Sequence, residues 1–151
     1  MTPEQVALVE RSLAQAGPAM PGIVAGFYER LFAADPDLRS MFATDAGLQH
    51  ARFTAGMETL TGSIRRHPDF LAEVAGLGRR HVAYGVRPAH YRTVGTAFLG
   101  ALGAGLGDAW TKEVAEAWRL AYNLIAEAMM CAAAEADVAG CSPAALAPEP
   151  R

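Results

Sequence analysis

The sequence predicts an all-α fold of six main helices plus a short one. Three observations carry that expectation. Alanine, leucine and glycine dominate, while β-branched and aromatic runs are sparse, a composition that favours helix over sheet. Apolar residues recur at three- and four-residue spacing along each segment, the period of a helix with one buried face. Proline and glycine fall between those segments, where helices stop and restart. No repeat or internal boundary interrupts the pattern, and 151 residues suffice for one domain with a real core.

Thr2 caps the first helix, with Pro3 at its first position. Val6, Val9 and Leu13 mark its inner face, and Gly17-Pro18 ends it. The second helix is expected over residues 21–34, with Val24, Phe27, Tyr28, Leu31 and Phe32 crowding one side. Asp35-Pro36 breaks it and caps a short turn of helix over 36–42, followed by a loop over 43–47. The next helix is expected over 46–66, with the stripe Gln49, Phe53, Gly56, Met57, Leu60 and Ile64. His67-Pro68-Asp69 turns the chain into a helix whose stripe is Phe70, Val74, Leu77 and His81. Gly85 stops that helix, and Pro88 opens another that runs to about Leu106 through Val94, Phe98 and Leu102. Its glycines cost helix propensity, about 1 kcal/mol each relative to alanine, and allow close helix approach. The last helix begins at Thr111, with the core stripe Val114, Trp118, Tyr122, Ile125 and Met129. An adjoining line reads Leu124, Ala128, Cys131 and Glu135. Residues 1–138 form the domain, and the Ala/Pro-rich tail 139–151 is expected to be disordered or a linker.

Several function classes are disfavoured. A net charge of −3 with no basic stripe gives no electrostatic hold on nucleic acid. The N-terminus is polar and capped like a helix, unlike a signal peptide. The longest weakly polar run, 94–106, is too short and glycine-rich to span a membrane. Cys131 and Cys141 form neither a disulfide framework nor a zinc cluster. The run 103–107 is no nucleotide loop, because no strand precedes it. A reducing cytoplasm is the simplest compartment.

Three polar residues interrupt apolar lines. His81 is either a hydrogen-bonded core histidine or a metal ligand. A ligating imidazole donates its other ring nitrogen to a fixed acceptor, and the Leu77 carbonyl one turn back supplies one. Gln49 is either exposed at a helix start or aimed into a pocket. Glu135 is either solvated at a helix end or turned toward the same centre.

Longer motifs point to a family. They are 26–32 (GFYERLF), 35–39 (DPDLR) with Met41-Phe42, Arg80-His81-Val82, 90–95 (HYRTVG), 106–109 (LGDA), and Ala117-Trp118 with Ala121-Tyr122. In that order and spacing the chain resembles the bacterial single-domain globins and the globin domain of flavohaemoglobins, from Thr2 to Val138. The resemblance implies a globin fold around a haem pocket, with haem b as cofactor. It implies His81 as the proximal iron ligand and Tyr28 as the distal tyrosine. Phe42 would pack on the haem, Gln49 would be the distal glutamine, and Phe53 stands where leucine is more usual. A slip of one residue in the loop before Gln49 would make His50 the distal residue instead. Tyr91 and Glu135 match the pair that holds the proximal histidine. Met57, Leu77, Val86, Val94 and Phe98, with Tyr91, complete the expected cofactor contacts.

The function so implied is oxygen binding at ferrous iron, with oxidation of nitric oxide to nitrate when a partner re-reduces the iron. The chain has no room for a flavin or nicotinamide domain, so a separate reductase is expected, or the chain is the globin part of something longer. Oxygen and nitric oxide are the expected ligands, and a monomer or weak homodimer the expected state. The alternatives are oxygen storage, delivery or sensing without turnover, and a peroxidase-like role. A carboxylate bonded to His81 would push electron density toward the iron and favour turnover.

Overall fold

Six α-helices joined by short turns make up the described residues, 1–42 and 46–137, of this computed structural model. The helices are α1 (Pro3–Ala16), α2 (Met20–Ala34), α3 (Ala46–Ser63), α4 (His67–Ala83), α5 (Pro88–Leu106) and α6 (Lys112–Asp137). Short 3-10 turns occupy Gly17–Ala19, Pro36–Met41 and Gly107–Ala109. The fold is all-α, and no strand occurs among the described residues. The expected tail, with Cys141, and the centre of the expected loop before Gln49 lie outside the described residues.

Local chemistry sets most boundaries. Thr2 and Gln5 cap α1 reciprocally: the Gln5 N–H donates to the Thr2 hydroxyl, and the Thr2 N–H to the Gln5 side chain. The Asp35 carboxylate accepts from the Asp37 N–H and starts the Pro36–Met41 turn. The Thr111 hydroxyl accepts from the Val114 N–H at the head of α6. One boundary differs from expectation. α3 ends at Ser63, three residues before Arg66. Pro68 stands in the first turn of α4, so the chain must turn first, and the Arg66 N–H bonds the Ser63 carbonyl at 2.8 Å.

The helices enclose two connected cores. The larger joins α1, α2, α5 and α6 through Val9, Ile23, Val24, Phe27, Leu31, Phe98, Leu102 and Trp118. Within it the Trp118 indole N–H donates to the buried Ser12 hydroxyl at 2.8 Å. The smaller joins α4, α5 and α6 through Phe70, Val74, Tyr91, Ala126 and Met129. Tyr122 packs against both. Close approach of α4 and α6 depends on Gly78, where a Cβ would stand 2.5 Å from the Met129 carbonyl oxygen. The line Leu124–Ala128–Cys131–Glu135 is less buried than its apolar character suggests. Leu124 is 46% exposed and Cys131 is exposed, because the residues facing α4 lie on the neighbouring stripe of Ala126 and Met129.

Candidate functional site

The smaller core delivers His81. The imidazole sits half-buried near the end of α4, and its Nδ1 lies 2.8 Å from the Leu77 carbonyl oxygen. A carbonyl only accepts, so Nδ1 carries the hydrogen and Nε2 presents a lone pair. Burial pushes the ring's pKa below its usual value; the Leu77 bond opposes this and the Arg80 charge adds to it. The ring is therefore held neutral, as metal ligation requires. The chain then folds back at once. The Val86 N–H bonds the His81 carbonyl at 3.0 Å, and Gly85 takes φ +85°, a conformation open to glycine. Tyr84 lies beside His81, with ring centroids 6.3 Å apart.

The larger core delivers Tyr28 from α2. It is 5% exposed. Burial raises its pKa, and the bond from Gln49 works against that rise, so the phenol stays neutral at physiological pH. The Gln49 side-chain amide donates to the Tyr28 oxygen at 3.2 Å. That oxygen is the acceptor, so the phenolic hydrogen remains to be donated elsewhere. His50 also reaches Tyr28, its ring stacked parallel at 5.0 Å between centroids. Both residues at the uncertain register thus meet the same phenol, one by hydrogen bond and one by stacking. Phe27, Phe32, Phe42 and Phe53 surround Tyr28 with ring centroids 4.9–6.0 Å away. Phe98 joins the group through Phe53 at 6.0 Å and continues to Tyr122 at 6.2 Å.

The expected pocket residues divide between the two cores. Phe42, Phe53, Met57 and Val94 are half-buried against the larger one, and Phe98 is buried within it. Leu77 and Val86 are half-buried against the smaller one, which contains Tyr91. Tyr91 is 9% exposed, and burial raises its pKa. Its backbone carbonyl accepts the Tyr122 hydroxyl at 2.5 Å. That cross-link between α5 and α6 was not anticipated. A tyrosine within an apolar stripe was its only sequence signal, since a buried phenol needs a partner.

Glu135 is half-buried. Among the described residues no hydrogen bond joins it, or the Tyr91 hydroxyl, to His81. On α6 the buried stripe runs Ala126, Met129 and Ala132, and half-buried Glu135 follows Ala132 at the same three-residue spacing.

Residues 25–129 match the family model for globins, well over half of the chain, and the chain belongs to the globin family. Its curated relatives include the flavohemoprotein of Deinococcus radiodurans, 34% identical over 133 residues, which are 86% of this chain and 33% of that protein. Flavohemoprotein A of Dictyostelium discoideum is 38% identical over 114 residues, 74% of this chain and 28% of that protein. The chain thus spans about a third of the length of such relatives. A bacterial globin from Campylobacter jejuni superposes with a TM-score of 0.78 at 20% identity, covering 90% of this chain and 99% of that one, and shares the fold. The flavohemoglobin of Malassezia yamatoensis, solved with bound FAD and heme, superposes at 0.76 with 27% identity, covering 89% of this chain and 37% of that one.

Proposed function

We propose that this chain is a haem-binding globin that binds oxygen at ferrous iron and can oxidise nitric oxide to nitrate when a partner re-reduces the iron. The observation that carries the reading is the part-buried hydrogen bond from Gln49 to Tyr28. It leaves the phenolic hydrogen free to be donated within apolar surroundings, as stabilisation of a polarised diatomic ligand requires.

The residues fit haem. Among the described residues no group of three or more His, Cys, Asp or Glu could hold a metal ion. A bare ion therefore lacks a ligand set among the described residues, whereas haem would bring ring nitrogens of its own and would ask one histidine of the chain. The Nε2 of His81 would be that ligand, oriented by the Leu77 bond. Phe42, Phe53, Met57, Leu77, Val86, Val94 and Phe98 would cover the macrocycle with apolar surface. Haem b is the form expected. When bound, the haem supplies the ferrous iron at which oxygen, nitric oxide and one electron combine to give nitrate. Tyr28 would donate its phenolic hydrogen to the ligand, and Gln49 would hold that phenol in place. Each such bond contributes on the order of 1–3 kcal/mol where charge develops. The electron would come from a reductase, the role that the FAD of the Malassezia flavohemoglobin suggests. A cytoplasmic location is part of the same reading. No described helix is long and apolar enough to cross a membrane.

A second reading, oxygen storage, delivery or sensing without turnover, is favoured by one observation. The Nδ1 of His81 bonds a neutral carbonyl. A carboxylate partner would enrich the iron in electron density more strongly, and the proposed role of Tyr91 with Glu135 in holding His81 depends on such a contact. Nitric oxide consumption by the oxygenated holoprotein with an electron source separates the two readings. Sustained turnover that falls in Tyr28→Phe supports the dioxygenase. One stoichiometric oxidation, then a stalled ferric protein despite effective reduction, assigns oxygen binding alone.

A further inference from the structure

The corner between α4 and α5 carries an excess of positive charge. No acidic residue lies between Glu73 and Asp108, while Arg79, Arg80, Arg87 and Arg92 fall within that stretch. All four are exposed, and among the described residues none is in an ion pair. These are four of thirteen basic residues; the other nine face sixteen acidic ones. The chain is thus negative overall, with a stretch at this corner that carries arginines and no acidic residue.

The backbone turns back at His81, while the Arg79 and Arg80 guanidinia lie over Gly76, one turn earlier on α4. The Tyr84 N–H bonds the Arg80 and His81 carbonyls, and the Val86 N–H returns to His81, which brings Arg87 back beside the end of α4. The His90 ring accepts the Arg87 N–H at 3.0 Å and fixes the start of α5, one turn before Arg92. At the corner Tyr84 is 63% exposed, although its ring packs edge-on toward the His81 imidazole. Arginines at a helix C-terminus also complement the helix dipole. That accounts for Arg79 and Arg80 but not for Arg87 and Arg92, which precede and open α5.

We propose that this corner is the docking surface for an acidic one-electron donor protein, with Tyr84 as its aromatic anchor. The proposal rests on the reading above, in which His81 holds an iron that must be re-reduced. One electron passes from the donor, which is oxidised, to the ferric iron, which is reduced; no bond is made or broken. Charge complementarity selects the occupant. Four exposed arginines without an acidic neighbour in sequence, on a negative chain, steer an acidic protein and orient it, and the exposed Tyr84 between them in sequence suits such a contact. A nucleic acid would call for a longer basic track.

The test is stopped-flow reduction of the ferric holoprotein by two donors, reduced acidic flavodoxin and reduced riboflavin, a small donor that needs no docking surface. The flavodoxin rate should fall about ten-fold or more in Arg79→Glu/Arg92→Glu, and should fall as ionic strength is raised. The riboflavin rate should change by less than about two-fold in both cases. The milder Arg79→Gln/Arg92→Gln should give an intermediate flavodoxin rate. Flavodoxin reduction that ignores salt and both variants would overturn the proposal. So would an equal loss with both donors, which would place the fault in the haem environment. Binding to phosphatidylglycerol vesicles that is lost in the variants, with flavodoxin reduction unchanged, would reassign the corner to a lipid surface. Absence of a Soret band from the wild type would sink the haem reading itself, and the proposal with it.

Discussion

Tyr28 combines a hydrogen-bonded oxygen with a buried ring. Its hydroxyl is tested most directly by ligand kinetics. In Tyr28→Phe, oxygen should dissociate faster by roughly five- to 150-fold, the range that corresponds to 1–3 kcal/mol, as read by stopped-flow displacement with carbon monoxide. At His81, the carbonyl partner sets a different expectation for the proximal side. Glu135→Gln should leave the iron–histidine stretching frequency of the ferrous protein unchanged, because no described hydrogen bond joins Glu135 to the ring. A downward shift in resonance Raman would show that the carboxylate reaches Nδ1 once haem is bound. The Leu77 acceptor was legible in the sequence because it follows from helix geometry alone, one turn before His81. The stacking of His50 on Tyr28 was not, because ring-on-ring contact between α2 and α3 depends on how those helices cross.

Among the elements, α4 and α6 matter most to His81, since one carries it and the other backs it. Their approach leaves no space at Gly78. Gly78→Ala would drive a methyl group into the Met129 backbone, which cannot rotate aside. The substitution should cost about 1–3 kcal/mol, the usual range for overpacking, read as a lower urea midpoint. The α1–α6 contact has a different weak point. Ser12→Ala leaves the buried Trp118 N–H without its acceptor and should cost about 1–3 kcal/mol; a change within a few tenths would mean that water takes the hydroxyl's place. Helix starts at Thr2 and Pro88 were legible because caps and prolines act locally. The end of α3 was not, because the apolar stripe continues through Ile64 while the chain is already turning. The outward tilt of Leu124 and Cys131 was hidden for another reason. In an alanine-rich helix, neighbouring stripes are nearly equal in apolar character, so periodicity cannot decide which faces the core.

Across the whole molecule, two cores share Tyr122 at their edges; Tyr28 lies in one, and α4, which carries His81, contributes to the other. Acid should loosen the haem-free chain through His81. Above about pH 6.5 the ring is neutral both folded and unfolded, and contributes no pH dependence. Below it the unfolded chain binds a proton first, because burial lowers the folded pKa. Stability should therefore fall as pH drops from about 6.5 through the lowered folded pKa. His81→Gln should flatten that part of the profile, as followed by circular dichroism in urea. The family was legible in the order of motifs, and the six-helix plan in its punctuation. The α5–α6 link from the Tyr122 hydroxyl to the Tyr91 carbonyl was not, since it depends on the rotation of α6 about its own axis. The central claim is that His81 is the iron's protein ligand. Its most direct test is the spectrum of haem-loaded His81→Gly with and without added imidazole. The account predicts loss of the ferrous iron–histidine signal in the variant and its return with imidazole. An unchanged signal in the variant without imidazole would contradict it.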